Sequence, residues 1–599
     1  MLNIEKIRKS DPKILIIGNY NLITQSILDF DFLSKKSEPG ISGIIRANKK
    51  SERLFWGNEE ILIPYYKNLE ETGSDFNKSI NYFLNVTSAR RALFTTEITV
   101  KTLENLLGGV IFAENIPEKH SLDLYSIASE KDIFIIGPSS VGLLVPGKIK
   151  LGAIAGIEIK QILNPVLYEK GNLAVFSASG GMTNELLNIV GTFNKRVSFC
   201  LSFGGDRFPI TTPKEAFLAA EKDSDTTYLI YFGELGGTDE YELAEMVKEG
   251  LIKKPIVAYV AGSIADIFPS SPQFGHAKAM AKNRQESAKE KLKALKNVGV
   301  NTADTFTEFV KLIKKLPSVN KNKFFLEDGE KLLKRKKASF TSSIAKETET
   351  GLFLLGEDHL SLTQNNSFAF ITASLLLGKK IKSKDLEEFV DLTMKLLVDN
   401  GPSVSGALNT IITARAGKDM VSALCAGLLA VGKRFGGAVN EAAENWICGV
   451  EEKIAPEQFV ESFSKESKII EGIGHKKYRA DNPDPRITEL MKWATKLKDK
   501  KYLNFALSIE KVTSGKKANL ILNVDGAIAA ILLDILSEKE ELTTRELKEL
   551  TQTEVFNAFF IIPRSVGFIA HFLDQKRLDE GLFRLPKEEV SFIKNLRDK

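Results

Sequence analysis

Cysteine is nearly missing from these 599 residues. The three present, Cys200, Cys425 and Cys448, lie far apart and match no metal-ligand spacing, so no metal site is expected. An odd, scattered set also excludes a disulfide framework and points to a reducing, cytoplasmic setting. Histidine is scarce too: His120, His276, His359, His475 and His571 are all there are. Few side chains are therefore available for proton transfer near neutral pH. No run of ~18 uninterrupted apolar residues occurs, and the opening MLNIEKIRKSDPK has no apolar signal core, so neither a membrane span nor a leader is expected. Charge of one sign is not in excess: 82 Lys and Arg face 77 Asp and Glu, a net of +5. With no long basic stripe carrying aromatics, a nucleic-acid partner is not expected. What is present is 43% hydrophobic and 27% charged, usual for globular domains. The length suits roughly three or four domains of ~150 residues.

The first half alternates apolar runs with helical spacing, the α/β pattern. Lys13–Gly18 reads as a buried parallel strand ending in a glycine turn, followed by a helical stretch over 19–30. Only Gly18 is present there, not a full G-x-G-x-x-G. Further apolar runs cover 109–113 and 132–137. After the last, Gly137-Pro138-Ser139-Ser140 forms a turn where a strand's carboxyl end opens either onto a ligand crevice or merely onto a tight bend.

A second α/β stretch begins near Gly171. A strand over 172–176 runs into Ser177-Ala-Ser-Gly-Gly-Met182 and then a helix. Small residues opening a helix leave backbone N–H groups and the positive end of the dipole free for phosphate. A close-packed strand–helix turn reads the same way, and both remain open. A strand over 227–232 ends at Gly233-Glu234-Leu-Gly-Gly237, which sets Glu234 beside glycines that admit another group. A strand over 255–262 leads to Gln273-Phe-Gly-His276-Ala277, with a long charged helix expected over 277–297. Residues 319–340 are basic and polar and read as a solvated linker.

Beyond 341 the strand pattern is lost. Helical spacing dominates over 384–398, 418–432, 436–450, 455–469, 486–508, 526–536 and 543–559, so this half is expected to be nearly all α. Three loops collect polar residues: Asp399-Asn400-Gly-Pro, Gly472-Ile-Gly-His475-Lys476 with Asp484-Pro-Arg486 downstream, and Asn523-Val-Asp525-Gly526. A desolvated Asp525 would carry a raised pKa and could exchange protons near neutral pH; a helix N-cap is the competing reading.

These pieces resemble, in order and spacing, the large subunit of a two-subunit ATP-citrate lyase, the equivalent of the C-terminal half of the animal enzyme. The resemblance covers nearly the whole chain. Its carriers include Leu28-Asp-Phe-Asp31, Phe55-Trp-Gly57, Ser179-Gly-Gly-Met182, Gly204-Gly-Asp-Arg207, Gln273-Phe-Gly-His-Ala277, Ala414-Arg-Ala-Gly-Lys-Asp419, Gly472-Ile-Gly-His475, Leu520–Gly526 and Leu573-Asp-Gln-Lys-Arg-Leu578.

The resemblance implies a Rossmann-like CoA-binding domain over 1–158, with Gly18, Gly137 and Pro138 towards CoA. A flavodoxin-like CoA-ligase domain follows over 159–318, then the linker and a helical citrate synthase-like domain over 341–599. It further implies that His276 is the histidine that is phosphorylated, that Glu234 holds its ring, and that Ser179, Gly180 and Gly181 hold the phosphate. ATP and Mg2+ would come with a separate β subunit carrying an ATP-grasp domain. Oligomer contacts would run through the helical half, in an assembly of four chains of each kind.

In the second half His475 matches the histidine near the citryl hydroxyl, and Asp525 the carboxylate that handles the acetyl carbon. Arg486 and Arg564 suit citrate carboxylates, since arginine binds carboxylates bidentately. The implied reaction is ATP-dependent formation of citryl-CoA from citrate and CoA, then cleavage to acetyl-CoA and oxaloacetate. The chain departs from the animal pattern at Asn400 and Leu408, where that enzyme has histidines, and at Lys476, where it has arginine. Asn400, as a substrate contact, can donate a hydrogen bond but cannot carry a proton charge. The alternative is therefore a CoA ligase for another carboxylate whose helical half serves mainly oligomerisation.

Overall fold

A computed structural model describes residues 2–47, 50–268, 273, 278–318, 329–432 and 435–593. The chain forms two compact units, 1–338 and 339–599.

The first unit holds two seven-stranded sheets. One comprises β1 (Ile14–Ile17), β2 (Ile41–Ile45), β3 (Ser51–Trp56), β4 (Glu59–Tyr66), β5 (Tyr82–Asn85), β6 (Gly108–Ile111) and β7 (Phe134–Ile136), in the order β3-β4-β2-β1-β5-β6-β7. All its pairings are parallel except β3 with β4. β1 (Ile-Leu-Ile-Ile) is buried throughout, as a strand covered by helices on both faces must be. The chain leaves β1 for β2 on one side and later returns as β5 on the other. The β1 and β5 ends thus form a topological switch point, the usual ligand crevice of such sheets.

The other sheet comprises β8 (Leu143–Val145), β9 (Ile149–Leu151), β10 (Leu173–Ser177), β11 (Val197–Ser202), β12 (Tyr228–Glu234), β13 (Ile256–Ala261) and β14 (Asn301–Thr302). Its order is β14-β13-β12-β10-β11-β8-β9, parallel except where β8 and β9 join it. Those two strands precede residue 158, so the chain leaves the first sheet earlier than the expected boundary. Its switch point lies between β10 and β12, which pair Ser177 with Phe232.

The charged helix expected over 277–297 runs only from Ala288 to Asn297. Ser287 caps it by accepting from the Glu290 N–H, and Asn283 caps a short turn before it, so polar caps override the charged periodicity. Part of the stretch read as linker is not solvated. A helix spans Gly329–Lys334, and Arg335 grips Asp29 with both terminal nitrogens over the Phe55 ring.

Among its described residues the second unit is helical, with one exception that the sequence reading missed. β15 (Ala345–Thr348), β16 (Gly351–Leu354) and β17 (Glu357–Asp358) form a small antiparallel sheet. Tight connections make it local, so it needs no long alternating pattern. The helix expected over 486–508 is two, Pro485–Ala494 and Lys501–Lys516. The break holds because Asp534, from another helix, accepts the N–H groups of Tyr502 and Leu503 and so fixes a new helix start. The stretch over 543–559 also splits, at Glu554, whose φ is +58°.

The second piece of that split is a 23-residue helix, Val555–Arg577, that continues through Pro563. By length and composition it could cross a membrane. Here it is a core helix that buries Phe556, Phe559, Phe560, Arg564 and Phe568. At the centre of the unit lies Val524–Glu538, buried along almost its whole length.

Candidate functional site

Two sites emerge, one in each unit. In the first unit the carboxyl ends of β10, β12 and β13 converge. β10 ends at Ser177, and Ser179 caps the helix Gly180–Thr192, its hydroxyl accepting from the Met182 N–H. Gly180 is pressed on Val141, but Gly181 has open space where a Cβ would stand. The helix start is therefore uncovered on one side, as an anion site requires. Glu234 is the last residue of β12, across the switch point, and pairs in register with Ala261 of β13.

The chain after β13 carries His276, which lies outside the described residues. Its neighbour two residues on, Lys278, is described. The Lys278 N–H donates to the Gly205 carbonyl at 3.3 Å, and its ammonium pairs with Asp239. Its carbonyl packs on Gly236, where a Cβ would come within 2.0 Å of that oxygen. Lys278 is thus held against Gly236, two residues from Glu234.

The loop after Glu234 is held from below by a buried ion pair absent from the sequence reading. Lys291 donates to the carbonyls of Glu234 and Gly236 at 2.8 and 2.6 Å and pairs with Glu240 at 2.7 Å. Both side chains are fully buried, and burial raises the Glu240 pKa against the pull of Lys291. Nothing in the sequence separates Lys291 from its many exposed counterparts. Gly236 has φ +87°, open to glycine at no cost. Gly236→Ala should therefore cost about 1–3 kcal/mol from backbone strain alone, more with the clash, read as a lower melting temperature.

Gly18 closes β1 at the other switch point with φ +94°, against Val86 and Thr87 of the chain leaving β5. The Gly137-Pro138 turn follows β7. The Pro138 carbonyl abuts Gly204, and the Gly205 N–H donates to the Ser139 carbonyl at 3.3 Å. This turn therefore leans on the same Gly204–Gly205 segment that anchors Lys278.

In the second unit two loops are zipped together ahead of the central helix. The Gly474 and His475 N–H groups donate to the carbonyls of Ile521 and Asn519 at 2.6 and 2.9 Å. The Asn523 N–H donates to the Gly472 carbonyl at 2.9 Å, and Asn523 caps the helix that follows. The cap reading for Asp525 therefore fails, because Asn523 holds that place and Asp525 sits in the first turn. Asp525 is part-covered overall, yet its Oδ1 is sealed from solvent with no hydrogen-bond partner among the described residues. Burial pushes its carboxyl up to about 6, against the pull of Arg486 and Arg564.

Arg564 lies buried in the long helix, its Cζ 4.9 Å from the Phe560 ring centre. Its Nε and Nη1 have no hydrogen-bond partner among the described residues. Burial, with Arg486 nearby, lowers its pKa to about 10; Asp399 and Asp525 oppose this. A sealed carboxylate oxygen and sealed guanidinium N–H groups within each other's field are costly unless a polar ligand meets them. Arg486, expected as a second carboxylate clamp, is already engaged. Its Nε and Nη2 grip Asp484 at 3.1 and 2.7 Å, which leaves only part of the fork for a ligand.

His475 is half-buried. Its Nδ1 accepts from the N–H groups of Lys477 and Tyr478, both at 3.0 Å, so the neutral ring carries its hydrogen on Nε2. Burial lowers its pKa, helped by Arg486 and Lys477 and opposed by Asp484. Asn400 lies on an exposed turn next to Asp399, whose Oδ1 is 3.0 Å from His571 Nε2. His571 is the functional candidate the sequence reading passed over. Its only signal was the scarcity of histidine.

Known proteins resemble this chain over nearly its whole length. The citrate synthase C-terminal domain family matches residues 218–585. The probable ATP-citrate synthase subunit 1 of Neurospora crassa is 36% identical over 589 residues, 95% of this chain and 87% of that protein. Human ATP-citrate synthase is 35% identical over 97% of this chain, which spans 54% of that longer protein. Among solved structures, a variant of the Methanosaeta concilii ATP citrate lyase in complex with (3S)-citryl-CoA is 32% identical, covers 98% of this chain and 97% of its own, and has a TM-score of 0.50. A ligase-like α/β unit joined to a helical citrate synthase-like unit is the class that fold and site define. The chain belongs to the ATP-citrate synthase family, also named ATP citrate lyase.

Proposed function

We propose that this chain is the subunit of an ATP-citrate lyase that carries the phosphoryl relay and the citryl-CoA cleavage site. The observation that carries the cleavage reading is the sealed Oδ1 of Asp525 in the field of Arg564, whose Nε and Nη1 are also sealed, none of the three atoms having a hydrogen-bond partner among the described residues. Such a pair suits a substrate that brings both a carboxylate and a carbon atom needing a proton.

In the first unit His276 accepts the phosphoryl group, Glu234 supports its ring, and the open start of the Gly180–Thr192 helix with Ser179 receives the phosphate. Gly18 and the Gly137-Pro138 turn line the crevices that take CoA. Splitting ATP cleavage from acyl transfer in this way needs a carrier on this chain and an ATP-grasp domain on another. A β subunit supplies ATP with Mg2+.

In the second unit Arg564 binds a citryl carboxylate, with the remaining edge of Arg486 beside it. The tertiary hydroxyl gives its proton to solvent water as the carbon–carbon bond breaks, and Asp525, ionised by the last step, regains one from solvent, so the protons balance. His475 then presents Nε2–H to the oxygen left behind, a neutral donor placed for developing charge. Protonated Asp525 delivers its proton to the carbon of the departing acetyl-CoA enolate, leaving oxaloacetate and acetyl-CoA. The full chain with an ATP-grasp β subunit, ATP, Mg2+, citrate and CoA is expected to yield acetyl-CoA and oxaloacetate in equal amounts. Absence of both products under these conditions, with citryl-CoA supplied in parallel and also left intact, overturns this reading.

A further inference from the structure

Asn400 can contribute only as a neutral hydrogen-bonding group, and such a group lowers a barrier only when it is already in place. An asparagine on an exposed turn is not in place by itself. The structure supplies what holds it. Asp399 accepts from the Gly401 N–H through Oδ2 at 3.0 Å and meets His571 Nε2 through Oδ1 at 3.0 Å. Burial acts to raise the Asp399 pKa, but hydrogen bonds from Gly401, Asn400 and His571 outweigh it and hold the carboxylate ionised.

The turn is also seated sterically. At Gly567 a Cβ would stand 2.3 Å from the Val398 carbonyl oxygen and 3.1 Å from Asp399 Oδ1. Arg564, Gly567 and His571 are spaced three and four apart, so they share one face of the Val555–Arg577 helix. Arg564 feels both Asp399 and Asp525. One helix face therefore carries the substrate-facing arginine at one level and the anchor of the Asn400 turn two turns further on.

We propose that His571 is a positioning residue for citryl-CoA cleavage: through Asp399 it fixes the Asn400 turn against the helix that carries Arg564. This rests on the cleavage reading given above. A plain surface ion pair would add little to stability and would leave turnover unchanged.

The test is citryl-CoA cleavage by the full chain. His571→Ala is expected to lower kcat roughly tenfold to a hundredfold with KM little changed. His571→Gln, which keeps an N–H at similar reach, should recover most of the loss. Asp399→Asn, which weakens the same link from its other end, should lower kcat as His571→Ala does. Phosphorylation of the chain by ATP and the β subunit should be unaffected in all three. Parent-like kcat in His571→Ala, or no advantage of Gln over Ala, overturns the proposal while leaving the cleavage reading intact. If His571→Ala does not fold, parent-like kcat in Asp399→Asn overturns it equally. A parent chain that leaves citryl-CoA uncleaved removes the cleavage reading and this proposal with it.

Discussion

Asp525→Asn is expected to lose citryl-CoA cleavage by roughly 10²–10⁴-fold and yet to unfold at a higher temperature than the parent chain at pH 7. Both effects have one cause. Burial lifts the Asp525 carboxyl from 3.8 to about 6. A group raised above its unfolded value contributes stability that is fully present below pH 3.8 and is lost as pH rises through about 6. At pH 7 the ionised carboxylate is therefore a burden on the folded chain, on the order of 2–3 kcal/mol at ~1.4 kcal/mol per pKa unit. The amide removes that charge, so its advantage should be clear at pH 7 and vanish towards pH 4. The same shift sets the sign of the rate profile. Cleavage needs the protonated carboxyl, so kcat/KM for citryl-CoA should fall as pH rises through about 6. Thermal unfolding from pH 4 to 8, beside acetyl-CoA release, reads both. An inactive variant that is also less stable at pH 7 would remove the desolvated acid from the mechanism.

His276→Ala is expected to abolish phosphate incorporation from ATP in the presence of the β subunit, with the parent's phosphate acid-labile and base-stable. Cleavage of preformed citryl-CoA should continue at the parent rate, because the residues proposed for that step all lie in the other compact unit. The case rests on what flanks His276. Lys278 is pinned to Gly205, Asp239 and Gly236, and Glu234 ends its strand two residues before the Lys291 anchor on Gly236. Phosphate still incorporated on the variant would show that another group accepts it. Lost cleavage of preformed citryl-CoA would show that the two sites are not independent.

The strand ends at the two switch points were legible in the sequence because each is written locally, whereas the strand order that makes them switch points was not. An apolar run that ends in glycine marks Gly18, and a strand that closes on Gly-Glu-Leu-Gly-Gly marks Glu234. The same holds for Ser179, whose small neighbours leave a helix start uncovered. What was not legible is what distant segments bring. His571 is 172 residues from Asp399, and no periodicity relates them. Lys291 sits in a charged helix like any other until β12 comes to rest on it. The break before Lys501 is written in Asp534, more than thirty residues downstream. Arg486 is different: its partner Asp484 lies two residues away and is readable in the sequence, but an arginine fork reads equally well as a substrate clamp. The small sheet over 345–358 escaped because its strands are too short to show alternation.

The double hold on His475 Nδ1 has a consequence for spectroscopy. With two backbone amides on one side of the ring, one tautomer is imposed by the chain itself and owes nothing to a bound molecule. Its Nδ1 is a pyridine-type nitrogen and its Nε2 a pyrrole-type one, the two classes that nitrogen NMR separates most widely. In a chain with only five histidines, ring labelling yields a spectrum sparse enough to assign. That ring can serve as an internal tautomer reference against which the other four are read.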